Sequence, residues 1–148
     1  MANIVFNVAL GRVAALAALP AANDALVAVP LEATGLVTDA TMRDYDDLAT
    51  LLAGASNEQT SMGRKTLASV TVTVDDTLDR VAVDCADITW TAATGNTVGA
   101  VVICYDPDTT TGTDADLVPL TKHDVALTPD GNNFTLSVAD FYRASSTA

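Results

Sequence analysis

Residues 69–85 read SVTVTVDDTLDRVAVDC, and their apolar side chains recur at every second position. In an extended chain this alternation puts the valines of SVTVTV on one face and the threonines on the other. The same period returns in RVAVDC, after the short acidic turn DDTLD. The stretch therefore predicts a β-hairpin with one apolar face.

Further strand-like runs follow the hairpin, and turn residues such as TGN, PDTTTG and PDGN separate them. These runs are ITWTAA (88–93), TVGAVVICYD (97–106), LVPLTKHDVAL (117–127) and FTLSV (134–138). The segment GAVVICY is apolar without alternation, which is typical of a strand buried on both faces. We expect it to be the central strand of the protein.

Residues 4–54 show helical spacing instead. IVFNVALGRVAALAAL (4–19) has apolar residues at steps of three and four and precedes Pro20, which predicts a helix with one buried face. TDATMRDYDDLATLLAG (38–54) predicts a second helix, capped by Thr38 or Asp39 and ended by Gly54 in a left-handed conformation. Between them, ALVAVPLEA (25–33) contains a proline, which suits an edge or irregular strand.

These patterns predict an α+β fold in a single domain of 148 residues. Residues 1–54 form its helical front portion, and residues 66–140 form a mainly antiparallel β-sandwich or barrel. The two N-terminal helices are expected to pack on the β portion.

The formal net charge is −12, from 19 acidic and 7 basic side chains. Binding to the phosphates of nucleic acid needs clustered Lys and Arg, so this balance argues against a nucleic-acid partner. No apolar run approaches the roughly 20 residues that span a bilayer, so we expect no membrane partner.

The stretch YDPDTTTGTDADL (105–117) is rich in aspartate and raises the question of a calcium loop. An EF-hand loop needs glycine at position 6 and a closing glutamate at position 12, but counting from Asp106 these positions hold Thr111 and Leu117. A solvated connection between strands is the favoured interpretation. A looser cation site is the alternative, formed by Asp106, Asp108, Asp114 and Asp116.

No catalytic or cofactor motif stands out. His123 lies beside Asp124 without a glycine-flanked serine that it could activate, and Cys85 and Cys104 lack the paired spacing of a zinc site. The two cysteines lie in apolar runs and are expected to be free buried thiols. We therefore predict a protein that is not an enzyme and has no cofactor.

Residues 69–92 and 97–138, together with LPAANDALVAVPLEATGL and DATMRDYDDLATLLA before them, resemble small virion proteins of tailed bacteriophages, especially those of actinobacterial hosts. The resemblance implies a structural protein of the phage particle, made in the host cytoplasm and located on the head surface. It implies a capsid decoration or minor capsid protein whose partners are the major capsid protein and further copies of itself. A tail or head-to-tail connector protein is one alternative, and a carbohydrate- or receptor-binding β-sandwich module is another.

Aromatic and arginine side chains are the usual anchors of interfaces, and both ends of the chain carry apolar or aromatic residues. The predicted contact residues are Ile4, Val5 and Phe6 near the N-terminus and Phe141, Tyr142 and Arg143 near the C-terminus. The alternative is that Phe6 and Phe141 fill the protein's own core.

Overall fold

The computed structural model describes residues 3–54 and 56–146. Within these residues the chain forms mostly antiparallel β-sheet, with three short α-helices and one 3-10 turn. The strands, numbered in chain order, are β1 (Ile4–Val5), β2 (Ala25–Glu32), β3 (Lys65–Thr66), β4 (Thr71–Asp75), β5 (Arg80–Asp84), β6 (Ile88–Trp90), β7 (Val98–Asp106), β8 (Val118–Leu127), β9 (Phe134–Leu136) and β10 (Tyr142–Ser145).

The largest sheet has five strands in the order β1-β8-β7-β2-β3, and β7 lies in its centre. Every residue of β7 from Ala100 to Tyr105 is buried, which confirms the prediction of a central strand covered on both faces. β2 and β8 pair with β7 on its two sides, and both pairings are antiparallel. We call this sheet the main sheet.

The predicted hairpin is also confirmed. β4 and β5 pair in register from Thr71 with Asp84 to Asp75 with Arg80, and β10 adds a third strand on the other side of β5. β6 pairs with β9 in a separate two-stranded sheet, where Trp90 lies opposite Phe134.

The long N-terminal helix predicted over residues 4–19 is wrong. Ile4 and Val5 form β1, residues 7–9 form the 3-10 turn, and only Val13–Ala17 is α-helical (α1). Two features explain this difference. β-branched Ile4 and Val5 pair with the distant strand β8, and Gly11 has a φ of 73°, which ends any helix before Val13.

The second predicted helix is divided in two. Thr38 caps α2 (Asp39–Met42), as expected, but Asp47 is extended and caps a new helix, α3 (Leu48–Ala53), by accepting a hydrogen bond from the Thr50 amide. Gly54 has a φ of −79°, so the prediction of a left-handed residue there is wrong. Its lack of a side chain instead leaves room for the hydroxyl of Tyr45, which a Cβ at this position would meet.

The N-terminal third is therefore less helical than predicted, because it contributes β1 and β2 to the main sheet. β2 is not an edge strand, but its neighbour β3 covers only Val27 and Ala28. Pro30 lies beyond that pairing, where its missing amide proton costs no ladder hydrogen bond. None of the helices in the described part of the chain is long and apolar enough to cross a membrane.

Candidate functional site

Residues 3–5 and residues 141–143 meet at one groove, which we call the terminal groove. It has a volume of about 210 Å³ and is lined by Asn3, Ile4, Val5, Thr121, His123, Phe141, Tyr142 and Arg143. A neighbouring pocket of about 220 Å³ shares Asn3, His123 and Phe141 with it. Five of the six predicted contact residues thus lie around a single concave surface.

Strand pairing brings these residues together. Ile4 and Val5 are held against Lys122 and Thr121 of β8, while Tyr142 is held against Val83 of β5. β1 is outermost in the main sheet, and β10 is outermost in the three-stranded sheet. The terminal groove therefore lies between two edge strands, which leave part of their backbone hydrogen-bonding capacity open to a partner.

Asp140 fixes the segment that carries the C-terminal contact residues. Its backbone has a φ of 54°, which turns the chain into β10, and its amide donates a hydrogen bond to Asp84. Its carboxylate accepts hydrogen bonds from Nε and Nη2 of Arg143, at 2.7 and 2.6 Å. Both contacts are to Oδ2, and together they orient the Arg143 guanidinium, which remains about half exposed.

His123 lies on the floor of the groove. Its Nε2 is 2.9 Å from Oγ1 of Thr121, and its ring meets Phe141 edge-on at a centroid distance of 6.4 Å. Burial lowers the pKa of His123, the positive charge of Lys122 lowers it further, and Asp124 opposes both effects. The imidazole is therefore held in its neutral form near neutral pH.

Phe6 does not belong to the groove. Its side chain is fully buried in the core, and its amide donates to the carbonyl of Leu120 just beyond β1. The alternative role in the core therefore holds for Phe6, and its selection as a contact residue is corrected. Phe141 is half-buried, so it both packs against the core and lines the groove.

An unpredicted ion-pair cluster lies on the other face of β8. The side chain of Lys122 is fully buried, and its Nζ is 2.7 Å from Oδ1 of Asp39 and 2.5 Å from Oδ1 of Asp124. Asp39 is the first residue of α2, so the cluster joins that helix to the main sheet. Sequence reasoning missed this cluster because nothing local in TKHDV distinguishes a buried lysine from an exposed one.

Three of the aspartates in residues 106–116 have separate hydrogen-bond partners. Asp108 accepts hydrogen bonds from Thr110 and Thr111, Asp116 accepts from Thr113, and Asp114 pairs with Arg64 at 2.6 Å. These bonds lower the pKa of all three carboxyl groups. In residues 3–54 and 56–146, no three His, Cys, Asp or Glu side chains are grouped so that they could hold a metal ion.

Arg64 ties this acidic loop to the rest of the protein. It also donates two hydrogen bonds to Glu58, at 2.8 and 2.7 Å, so that one guanidinium bridges two carboxylates. The hydrogen bonds to Glu58 and Asp114 raise the pKa of Arg64 above its ordinary value. The loop is thus held in place by the Arg64 guanidinium and by hydrogen bonds from its own threonines.

The two cysteines and the tryptophan are buried. Cys85 and Cys104 are free and buried. Trp90 is 1% exposed, stacks on Phe134 and donates its indole N–H to the carbonyl of Gly63, so it offers no exposed aromatic platform.

Compared with known proteins, the chain matches no protein-family model, no curated protein and no solved structure.

Proposed function

We propose that this protein is a non-enzymatic structural protein of a tailed-phage particle, a capsid decoration or minor capsid protein that binds the outside of the head shell. The observation that carries the proposal is the terminal groove, where five residues chosen as contact residues from the sequence lie together. The resemblance of residues 69–92 and 97–138 to small virion proteins is the reason for proposing a phage particle.

The groove is suited to a protein partner. β1 and β10 are edge strands on its two sides, and an extended segment of another protein can add to such an edge through backbone hydrogen bonds. Ile4, Phe141 and Tyr142 supply apolar area beside the edges, and the half-exposed Arg143 supplies a directional donor. Binding of the capsid protein at this groove would stabilise the shell only after assembly, because each copy buries new surface only in the assembled lattice.

The fold proposed for this role is a β-sandwich with the helices packed on it. The main sheet and the β10-β5-β4 sheet are its two layers. In support, one apolar cluster includes Leu26 of β2, Val102 of β7 and Val83 of β5, and all three side chains are fully buried. A rigid domain of this kind presents its strand edges in fixed positions.

The direct test is co-sedimentation of the purified protein with heads prepared without it, followed by a count of bound copies per particle. A decoration or minor capsid protein binds in hundreds of copies. A handful of copies at one vertex would move the protein to the head-to-tail connector, and binding only to tails would move it to the tail. No binding to any part of the particle would overturn the proposal, and a glycan array then tests the carbohydrate-binding alternative.

Arg143→Ala locates the contact. Removal of this side chain should weaken head binding by about tenfold or more, since arginines that a partner covers are frequent hot spots of interfaces. Lys65→Ala is the matched control, because it also removes one positive charge but lies in β3, at the opposite edge of the main sheet. Equal binding by both variants would exclude the terminal groove as the contact surface.

A further inference from the structure

The three-stranded sheet has a second open edge, on β4. β4 is outermost in the order β10-β5-β4, and its sequence is TVTVD. Proteins usually protect such edges with lysine, proline, a bulge or a very short strand. β4 has five residues without Lys or Pro, and it pairs with β5 without a register shift.

Exposed apolar side chains lie on the hairpin and on the helix that packs against it. In the described residues the large exposed apolar side chains are Leu10, Leu19, Val74 and Leu78. Val74 lies in β4 and is 72% exposed, and Leu78 lies in the turn that follows it. Leu10 and Leu19 flank α1, which packs against β4 and β5. All four therefore belong to the hairpin or to the segment that packs on it.

The backbone of β4 is arranged for a further strand. The Ser146 amide donates to the carbonyl of Asp79, so Asp79 and every second residue after it in β5 direct their backbone groups toward β10. Because alternate residues of a strand bond to opposite neighbours, Ala82 of β5 bonds to Thr73 of β4. The backbone groups of the two valines of β4 therefore point to the open edge.

We propose that the β4 edge pairs with the β4 edge of a second copy of this chain, antiparallel and centred on Thr73. In this register Thr73 lies opposite Thr73 of the second copy, Val72 lies opposite Val74, and all five residues of each strand are paired. The strand is self-complementary because the two valines are placed symmetrically about the central threonine.

The charges beside β4 favour the antiparallel direction over the parallel one. Three aspartates lie in DDTLD, one at the end of β4 (Asp75) and two in the turn that follows it (Asp76 and Asp79). Antiparallel pairing places the two acidic turns at opposite ends of the joined strands, each beside residues 69–71, which are uncharged. A parallel pairing would put the two turns side by side, where like charges repel.

The inference does not depend on the proposed function, because it concerns the purified protein alone. Sedimentation equilibrium of the full chain, from micromolar to near-millimolar protein, measures its oligomeric state. We expect a dimer for the natural sequence, a monomer for Val74→Lys and a dimer for Thr94→Lys. The two variants carry the same added charge, but Thr94 is exposed in the connection between β6 and β7, outside the three-stranded sheet. A natural chain that stays monomeric, or a dimer that survives Val74→Lys, would overturn the proposal.

Cross-linking tests the register independently of the Val74 variant. Directly opposite residues in a non-hydrogen-bonded pair have Cα atoms about 4.5 Å apart, which a disulfide can span. Thr73→Cys should therefore form a disulfide-linked dimer on mild oxidation, whereas Thr94→Cys should not. A Thr73→Cys protein that stays uncross-linked while it sediments as a dimer would overturn the proposed pairing. A protein that is monomeric but binds heads would also overturn it, with the proposed function intact.

Discussion

The ammonium group of Lys122 lies 2.7 Å from the carboxylate of Asp39, 83 residues away in the chain. The lysine side chain is fully buried in β8, and the aspartate begins α2. A buried ammonium group is stable only when carboxylates or other acceptors compensate the loss of water. The ion pair therefore stabilises the packing of the start of α2 against β8 of the main sheet.

Replacement of Lys122 by Met tests this stabilisation. The substitution keeps most of the side-chain volume but leaves Asp39 and Asp124 without this cation, and we expect a loss of about 3 kcal/mol in the free energy of unfolding. The estimate is at the low end for a buried pair because the two carboxylates retain some contact with water. Urea unfolding followed by the fluorescence of Trp90 measures it.

Lys65→Met is the control for this substitution. It removes a half-buried lysine from β3, and we expect it to change the free energy of unfolding by less than about 1 kcal/mol. Equal losses in the two variants would mean that the ion pair with Asp39 has no special contribution to stability.

The β4–β5 hairpin and the central strand β7 were predictable because their signals are local. Alternation in SVTVTV and the unbroken apolar run GAVVICY each specify a strand and its burial without reference to the rest of the chain. The N-terminal segment was not predictable in the same way. Its spacing favours a helix, but Ile4 and Val5 gain more from pairing with β8, which lies more than a hundred residues later.

The candidate site follows the same division. Residue type was the reason for predicting Tyr142 and Arg143 as contact residues, but their position beside Ile4 depends on two separate strand pairings, β1 with β8 and β10 with β5. Phe6 shows the limit of this reasoning, because its neighbour Val5 lines the groove while Phe6 itself points into the core. Which side of a strand a residue faces depends on register, which nonlocal partners determine.

The pair between Arg64 and Asp114 predicts a specific loss of stability in acid. The Arg64 hydrogen bonds lower the pKa of Asp114 below its ordinary value of 3.8. A lowered carboxyl pKa contributes stability above the unfolded value, and this stability is lost as the pH falls through the folded pKa. Asp114→Asn should therefore lower the free energy of unfolding at neutral pH by about 1 kcal/mol and reduce its decline below about pH 4.

Urea unfolding over a series of acidic pH values gives both quantities. Asp46→Asn is the matched control, since Asp46 is an exposed aspartate in the segment between α2 and α3. The idea fails if the Asp46 and Asp114 variants show the same dependence on pH.

The two cysteines should resist alkylation in the folded protein. Burial, and then the charges of Asp84 and Asp87, raise the pKa of Cys85 to about 11, and burial raises the pKa of Cys104 as well. Because the thiolate is the reactive form, the shift of the pKa from 9.0 to about 11 makes the thiolate fraction of Cys85 about 100-fold smaller at neutral pH, so Cys85 should be alkylated more slowly than in the unfolded chain. Mass spectrometry after timed treatment with iodoacetamide measures the rate, and the exposed thiol of Thr94→Cys is the positive control. Rapid labelling of both native cysteines would contradict the buried positions.

His123 should make the protein less stable as the pH falls through the range in which free histidine titrates. Its pKa is lowered from the ordinary value of 6.5, mainly by burial in the terminal groove and then by Lys122. Below that value the unfolded chain binds a proton that the folded protein does not, so the free energy of unfolding decreases with falling pH. His123→Gln keeps a polar side chain that can contact Thr121 but cannot titrate, so its decrease from about pH 7.5 to about pH 5.5 should be smaller. A two-dimensional NMR titration of the imidazole gives the pKa directly in the natural chain. An imidazole that titrates at or above 6.5 would show that the groove is open to water and that the ring does not need to stay neutral.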